Sequence, residues 1–534
     1  MRYRYPVHAF AGHHRAAGVT VIAAVALLTA AVQYALTGSP ATAARALPAG
    51  ALAAAVALLA ASLPGLSLRG LVTGGFFVLA GTLSWTYLDR GAVVWTVLAV
   101  EGVVFLCWSW PWLSHLRPLP RLGSAWLGLS YWLLGIVGAL LVGHLVVAGQ
   151  RVAYAGVFTL AALTVLAGVR GRPAAVRDVR DGLRGPGGAG RGTGDRPGRD
   201  LSVGIAGAFL LAIAALLLSG SGNLFSALHV VPAGQWGRDM EHRFWGGAWL
   251  LYHPNSLALI AVVVAIRIGA DPAFALYQRL AVTGLAGFVI YESNSRTGFV
   301  YFGAAAALHG YLLWRHRDRL PGYRRPWLAA AQPFVVLALI LVLSGGQGFL
   351  FQDRYSDAGL ASGRTDTWRA VGVEWVHAGW AERLFGDART SRAVVQRADD
   401  GTKPGEQRLK LTTDNAAVAA LRRGGVLGVL AFGLGLALLL SHAWRGPRVR
   451  AGEPGPGGAG EPTRVGRRCP PAWLTIAAVG SVPTIATADW LLGGTGGTLW
   501  ILLLAGEAWL LFGNPEAQHD KASDRDAADG LSVP

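Results

Sequence analysis

The stretch Gly424–His442 reads GGVLGVLAFGLGLALLLSH and contains no Asp, Glu, Lys or Arg. An α-helix needs about 20 predominantly apolar residues to cross the hydrocarbon core of a bilayer, because each residue adds only about 1.5 Å to its length. This stretch therefore predicts a transmembrane helix. The composition of the chain agrees, since 14% of its 534 residues are charged, whereas soluble proteins carry about 25%.

Similar apolar runs recur along most of the chain and predict an all-α integral membrane protein. We expect roughly 12–14 transmembrane helices and one large extracytoplasmic loop. A transmembrane β-barrel is not indicated, because the chain shows no series of alternating strands of about 10 residues. The candidate spans lie near 16–36, 47–65, 69–88, 91–112, 124–148, 152–169, 201–219, 244–266, 273–292, 297–314, 327–345, 424–442, 472–489 and 496–512.

The distribution of arginine predicts the orientation of these spans. The segments 170–200, 315–325 and 445–468 are rich in arginine, and basic loops remain on the cytoplasmic side. An even number of spans then leaves both termini in the cytoplasm and places residues 346–423 outside. The apolar stretch Ala16–Leu36 exceeds the core of about 7–15 residues in a signal peptide, so we expect a retained first span.

This topology divides the chain into six segments. Separately, the chain has few lysines and many arginines, which suggests that it is encoded by a GC-rich bacterial genome. We therefore expect a multi-pass protein of the bacterial cell membrane. The segments are N-terminal transmembrane helices (1–169), a basic cytoplasmic loop (170–200), core transmembrane helices (201–345), the large extracytoplasmic loop (346–423), C-terminal transmembrane helices (424–512) and a disordered cytoplasmic tail (513–534).

Composition and missing motifs exclude several functions. The net charge is +17, but the basic runs are short and lack interleaved aromatic residues, so nucleic-acid binding is not expected. No lysine follows a glycine, so the phosphate-binding P-loop of ATPases is absent. Cys107 and Cys469 form no CxxC metal pair. We expect no metal and no cofactor, and a donor substrate carried by a lipid rather than a nucleotide.

Two polar motifs interrupt the apolar background on the predicted outer side. In His253–Ala258 (HPNSLA), Pro254 is expected to kink a span that starts near Phe244, and Asn255 would line the resulting polar notch. The alternative is a kink with a structural role alone.

The second motif, Tyr291–Gly298 (YESNSRTG), joins two spans and contains Ser295 and Arg296. An arginine beside a helix N-terminus suits a phosphate group. The alternative is a solvated turn in which Glu292 and Arg296 pair with each other.

A third motif, Ser362–Trp368 (SGRTDTW), lies in the outer loop. Asp366 is expected to cap a helix that runs to about Trp380. Tryptophan and aliphatic residues on one helix face are typical of a helix in the membrane interface. That predicted face contains Trp368, Val371, Trp375 and Val376.

The same loop continues with Leu384-Phe385-Gly386, then Thr412–Asn415, then Arg422–Gly425. Its arginines give a surplus of positive charge near the membrane, although each of them alone is equally consistent with a solvated side chain. These arginines are Arg354, Arg364, Arg369, Arg422 and Arg423.

The order of these motifs resembles the O-antigen ligase and O-antigen polymerase superfamily. The resemblance covers roughly residues 200–442, while the N-terminal spans are similar only in being hydrophobic. It implies transfer of a glycan from an undecaprenyl-diphosphate carrier to an acceptor glycan or envelope acceptor on the outer face of the membrane. It also implies a glycosyltransferase without a nucleotide sugar or an essential metal, in which outer arginines bind the diphosphate.

Residue by residue, the resemblance matches Arg296 and Arg364 to the arginines of the family motifs and Asn255 to the asparagine of the in-span motif. The loop of the family commonly ends in His-Asn, whereas this chain has Asp414-Asn415. A carboxylate can act as a general base, so we expect Asp414 to be catalytic. The resemblance implies that Arg296 and Arg364 are catalytic as well. The expected substrate-binding residues are Asn255, Ser295, Arg354, Arg369, Asn415 and Arg422.

Two other functions remain open at this stage. A transporter or flippase for a polysaccharide or lipid would use ionisable groups inside the membrane, and the candidates are Glu101, His144 and Glu507. A non-catalytic scaffold of the cell envelope is the other alternative, which the departure at Asp414 favours. The sequence leaves the oligomeric state open, as it does the choice between ligase and polymerase.

Overall fold

A computed structural model describes part of the chain, and all statements on structure concern that part. The described residues are 11–66, 122–131, 133–145, 197–219, 254–271, 274–293, 295–315, 326–343, 364–386, 393–395, 410–412, 415–444 and 472–487, together with single positions between 68 and 78, at 103, 148, 149 and 152, and between 503 and 507.

The described chain is almost entirely helical, as predicted. The exception is one antiparallel pair of short strands, β1 (Ala393–Val395) and β2 (Lys410–Thr412), in which Ala393 lies opposite Thr412. The helices are α1 (Ala11–Thr37), α2 (Pro40–Ala61), α3 (Gly123–Tyr131), α4 (Leu133–Leu141), α5 (Pro197–Ser219), α6 (Pro254–Gly269), α7 (Leu276–Glu292), α8 (Arg296–Arg315), α9 (Pro326–Leu343), α10 (Arg364–His377), α11 (Trp380–Phe385), α12 (Ala416–Trp444), α13 (Ala472–Gly480) and a 3-10 helix (Val482–Ala486).

Four helical segments of the described chain are long and apolar enough to cross a membrane: Gly18–Thr37, Pro40–Ala61, Gly123–Leu141 and Ala416–Trp444. Shorter apolar helices accompany them at Ser202–Leu218, Asn255–Gly269, Ala331–Leu343 and Trp473–Ala486. The hydrophobic character predicted from the sequence is therefore present in helices of suitable length.

Helices α6, α7 and α8 form an up-down-up arrangement in which α6 and α8 run in the same direction. They approach closely near their beginnings, because a Cβ atom placed on Gly298 would lie 2.7 Å from the Cβ of Ala258. Only glycine fits at this contact. We call the end of the bundle at which α6 and α8 begin the upper end, and the opposite end the lower end.

The C-terminal helices fix the direction of α12 relative to α8. The Thr475 hydroxyl donates to the carbonyl of Ala443 at 2.7 Å, so α13 begins where α12 ends. The Tyr301 hydroxyl then donates to the carbonyl of Ala477 at 3.0 Å, and Thr297 donates to the carbonyl of Thr487 at 3.2 Å. Helix α13 is thus antiparallel to α8, and α12 also begins at the upper end.

A buried arginine connects several helices at the lower end of the bundle. The guanidinium of Arg267, in the last turn of α6, donates to the Ser202 hydroxyl of α5 at 2.8 Å and to the Asp271 carboxylate at 2.9 Å. It also lies 5.4 Å from the ring centre of Phe274 and 5.6 Å from that of Trp473 on α13. These contacts hold a buried charge with partners on three sides, which compensates its desolvation.

A second buried polar group at the lower end involves Glu507. Its carboxylate accepts hydrogen bonds from the backbone N–H groups of Gly123 and Ser124, at 2.6 and 3.0 Å, and from the Ser124 hydroxyl at 2.7 Å. The same carboxylate lies 2.8 Å from Nδ1 of His442 on α12. Glu507 therefore occupies the N-terminus of α3, where the helix dipole favours a negative charge, and joins α3 to α12.

We expect Glu507→Gln to lower the free energy of unfolding by about 2 kcal/mol, because charge-assisted bonds from buried donors are lost without any change in size. Chemical unfolding of the purified full chain in detergent micelles measures the change. Arg315→Gln is the control, because that charged side chain is exposed, and its effect should stay below about 1 kcal/mol. Equal unfolding curves for Glu507→Gln and the native chain would contradict the expectation.

Candidate functional site

The predicted helix start at the second motif is confirmed. Ser295 is the N-cap of α8, since its Oγ accepts a hydrogen bond from the N–H of Gly298 at 3.1 Å, and Arg296 is the first helical residue. Ser293 and Ser295 are fully buried. A seryl N-cap leaves other N–H groups of the first turn available for a ligand, and Arg296 adds a positive charge at the same place.

The first motif begins the neighbouring helix α6. Described structure starts at Pro254, so the kink expected in a span from Phe244 lies outside the described residues. Asn255 is half-buried in the first turn. Ser256 follows it and is fully buried, and its hydroxyl has no hydrogen-bond partner within the part of the chain that the structure describes.

These two helix starts are neighbours. The contact between Gly298 and Ala258 lies one turn or less from Arg296 and from Asn255, so Asn255 lies beside the start of α8 at the upper end. The N-terminus of α8 carries a partial positive charge. Together with the Arg296 guanidinium and the unpartnered Ser256 hydroxyl, it suits a phosphate-type anion.

The loop's terminal asparagine has a clear structural role. The Oδ1 atom of Asn415 accepts hydrogen bonds from the N–H groups of Ala417 and Val418, at 2.9 and 3.0 Å. Asn415 is therefore the N-cap of α12. Asp414, the expected general base, lies outside the described residues, between β2 and this cap.

We expect Asn415→Ala to lower the free energy of unfolding by about 1 kcal/mol, since it removes the cap of α12. Asn415→Ser is the matched control, because a serine hydroxyl also caps helices and should retain most of the stability. Thermal unfolding of both variants in the same detergent measures the difference. If both variants keep native stability while glycan transfer falls, Asn415 acts on the substrate rather than as a cap.

Two arginines of α12 are buried at the upper end. Arg422 and Arg423 are 7% and 4% exposed, and Nε of Arg422 lies 3.9 Å from the Glu374 carboxylate of α10. Buried arginines at the end of the bundle that contains Arg296 are candidates for function. Arg422 was predicted to bind substrate, whereas Arg423 was predicted only to contribute to the positive charge of the outer loop.

That glycine pair interrupts α12. Gly425 has φ 61° and ψ −155°, so α12 is two helical pieces joined at a kink. The Leu384-Phe385-Gly386 segment packs directly on this kink, where Gly386, with φ +87°, touches the backbone of Arg423 and Gly424. The two glycine-containing motifs of the outer loop, which were separate in sequence, therefore form one tight backbone contact.

Helix α10 differs in detail from its prediction. It begins at Arg364, so Asp366 lies inside its first turn and is not its cap, and it ends at His377, before Trp380. The expected membrane-facing stripe was wrong at Val371. That residue is almost completely buried against the protein, as is Thr367, whereas Val376 is exposed. The physical reason is that α10 packs on α12 and on the strand pair, which covers this face.

The predicted site residues therefore fall into three groups. Asn255, Ser295 and Arg296 lie together where α6 and α8 begin, and Asn415 and Arg422 lie in the first part of α12 at the same end. Arg369 is exposed on α10. The side chain of Arg364 lies outside the described residues, as do Arg354 and Asp414, so the convergence of Arg296, Arg364 and Asp414 stays a prediction.

The three ionisable candidates for a transporter are not alike. Glu507 is paired with His442 and caps α3, so it is not the isolated group that the sequence indicated. His144 lies just beyond α4, and Glu101 lies outside the described residues. No group of three or more His, Cys, Asp or Glu side chains suited to a metal ion occurs in the described part of the chain.

Comparison with known proteins gives no relative. The chain matches no known protein family, no curated protein and no solved structure. A functional assignment therefore depends on the motifs and on the geometry of the upper end.

Proposed function

We propose that this protein is a glycan ligase or polymerase that transfers a saccharide from an undecaprenyl-diphosphate-linked donor to an acceptor glycan or envelope acceptor. The observation that supports it most is the start of α8 beside α6, where the N-terminus of α8, Arg296 and the Ser256 hydroxyl share one end of the bundle. A diphosphate is the anion that such a set of donors suits.

The proposed reaction breaks the bond between the anomeric carbon of the donor sugar and its phosphate oxygen. The acceptor hydroxyl oxygen forms a new bond to that carbon, and its proton passes to the Asp414 carboxylate as general base. The carrier leaves as a diphosphate that gains negative charge in the transition state. Preorganised donors at the upper end stabilise this charge, and Arg296 is the strongest of them.

The remaining arginines of the outer loop complete the proposal. Arg422 and Arg423, which are buried at the same end, raise the positive potential around the leaving group, and Arg364 binds the diphosphate with Arg296. Arg354 and Arg369 guide the anionic donor to the site from the loop. A low-dielectric environment strengthens each of these interactions relative to water.

We further propose the membrane topology that this chemistry requires. The chain crosses a bacterial cell membrane about 12–14 times, with both termini in the cytoplasm and residues 346–423 outside. The upper end then faces outward, where the lipid-linked donor and the acceptor meet. Four described helices that are long and apolar enough to cross a membrane support the multi-pass character.

Reconstitution tests this function directly. The purified full chain is placed in liposomes with a lipid-diphosphate oligosaccharide and an acceptor glycan, and released lipid diphosphate and elongated acceptor are quantified by mass spectrometry. We expect both products in equal amounts. Movement of the lipid-linked glycan between leaflets without a covalent product would instead support a flippase, and binding without turnover would support a scaffold.

A further inference from the structure

The helices α10 and α11 form a hairpin whose geometry is fixed by side-chain-to-backbone hydrogen bonds. The Arg383 guanidinium donates to the carbonyls of Val376 and Ala378, at 2.6 and 2.9 Å, which satisfies the C-terminal end of α10. The indole N–H of Trp375 donates to the carbonyl of Arg383 at 3.2 Å. We call residues 364–386 the loop hairpin.

The loop hairpin exposes an apolar patch that no described part of the chain covers. Trp380 is 70% exposed, and three aliphatic side chains of the same hairpin, Val373, Val376 and Leu384, are 51%, 53% and 39% exposed. Val373 and Val376 are three residues apart on α10, and Trp380 and Leu384 are four apart on α11, so each pair lies on one helix face. We define the hairpin patch as Val373, Val376, Trp380 and Leu384.

The position of the loop hairpin indicates what covers the hairpin patch. Helix α11 ends against α4, since a Cβ atom on Gly138 would lie 3.0 Å from the carbonyl oxygen of Phe385. Gly138 is within one turn of the end of Gly123–Leu141, a segment long enough to cross a membrane. Leu140 and Leu141, at that end, are about half exposed, so the apolar surface of this segment extends to the end that contacts the hairpin.

Helix α11 lies beside the end of a segment long enough to cross a membrane, at the level where the hydrocarbon core meets the lipid headgroups. Tryptophan is enriched in that layer because its ring is apolar and its N–H is polar. The exposed Arg369 on the same hairpin suits a lipid phosphate. Exposed aliphatic side chains beside the end of a span would be costly in water but are stabilised in this layer.

From these contacts we infer that the hairpin patch inserts into the interfacial layer of the phospholipid bilayer and holds the loop hairpin on the membrane surface. The bilayer is its occupant, and neither a second copy nor another protein covers it. This inference does not depend on glycan transfer, since it concerns only where the loop hairpin sits. It also corrects the stripe expected from the sequence, which shares Val376 with the hairpin patch, because Val371 faces the protein and Val373 faces outward.

The chain offers a matched pair of neighbouring positions for the test. Val373 and Glu374 are each 51% exposed, yet they point to different sides of α10, since consecutive helical residues differ by about 100°. In a full-length chain with Cys107 and Cys469 replaced by alanine, Val373→Cys and Glu374→Cys are each labelled with bimane. Trp380→Cys provides a second position in the hairpin patch.

The labelled proteins are reconstituted in liposomes whose lipids carry bromine near the glycerol end of the acyl chains. Because interfacial helices sink ~5–10 Å into the boundary layer, we expect bromolipid quenching at position 373 to exceed that at 374 by about threefold or more. Position 380 should behave like 373. Iodide, a quencher dissolved in water on both sides of the membrane, should give the reverse order.

Two results would overturn the inference. Strong iodide quenching with no bromolipid quenching at 373 and 380 would place the hairpin patch in water. Protection from both quenchers would show that a protein surface, such as a second copy of this chain, covers it. Neither result changes the outcome of the reconstituted transfer assay. The membrane position of the hairpin patch and the glycan-transfer function can therefore be rejected independently.

Discussion

Replacing Arg296 by alanine is expected to lower kcat/KM for glycan transfer by on the order of 100–1000-fold, equivalent to about 3–4 kcal/mol of transition-state stabilisation. Arg296 is the first residue of α8 and lies beside the start of α6. Its guanidinium is expected to meet the leaving diphosphate as that group gains charge. The loss should appear mainly in kcat, because the charge develops in the transition state.

Arg315→Ala is the control for this substitution. Arg315 lies at the other end of the same helix, is exposed, and donates to the Tyr311 hydroxyl at 2.9 Å, so its loss should leave transfer unchanged. Arg296→Lys should recover only part of the activity, since an ammonium group does not bind a diphosphate in the bidentate manner of a guanidinium. Native rates for Arg296→Ala, measured as released lipid diphosphate, would remove Arg296 from the site.

Gly386→Ala is expected to lower the free energy of unfolding by about 2–5 kcal/mol, from backbone strain and overpacking together. Gly386 has φ +87°, which an L side chain rarely adopts, and a Cβ atom there would overlap the backbone of Arg423 and Gly424. Neither helix can withdraw easily, because the contact is between two backbones. The loop hairpin should therefore separate from the kink of α12.

Gly379→Ala is the matched control, since Gly379 lies on the same hairpin, has an ordinary φ, and has no atom within 4 Å of an added Cβ. Thermal unfolding of the full chain in detergent and protease cleavage between residues 364 and 415 report the two effects. We expect a lower midpoint and faster cleavage for Gly386→Ala alone. Equal behaviour of the two glycine variants would show that the contact is not tight in solution.

Several elements could be predicted because their determinants are local. The apolar runs of α1, α2 and α12 exceed the length needed to cross a membrane, so composition alone indicates helices there. The start of α8 was predictable because a serine before Arg296 is a common N-cap. The N-terminal position of Asn415 is equally local, although the sequence suggested a substrate contact and the structure shows a cap.

Other features depend on contacts between distant residues. The partner of Glu507 is His442, and its hydrogen-bond donors are on Gly123 and Ser124. No spacing in the sequence indicates this group, because its members come from three separate segments. The same holds for Gly386 against Gly424, where two loop motifs meet through backbone atoms that carry no sequence signal.

The sequence by itself determined that this protein is helical and apolar, since hydrophobicity and helix length are sums over neighbouring residues. It also located the helix start at Ser295. Only the tertiary structure decided that Ala258 of α6 lies against Gly298 at the start of α8 and that Val371 faces the protein while Val373 faces outward. The reason is physical: which side of a helix is covered depends on the elements that pack against it, and α10 has an apolar residue on either side.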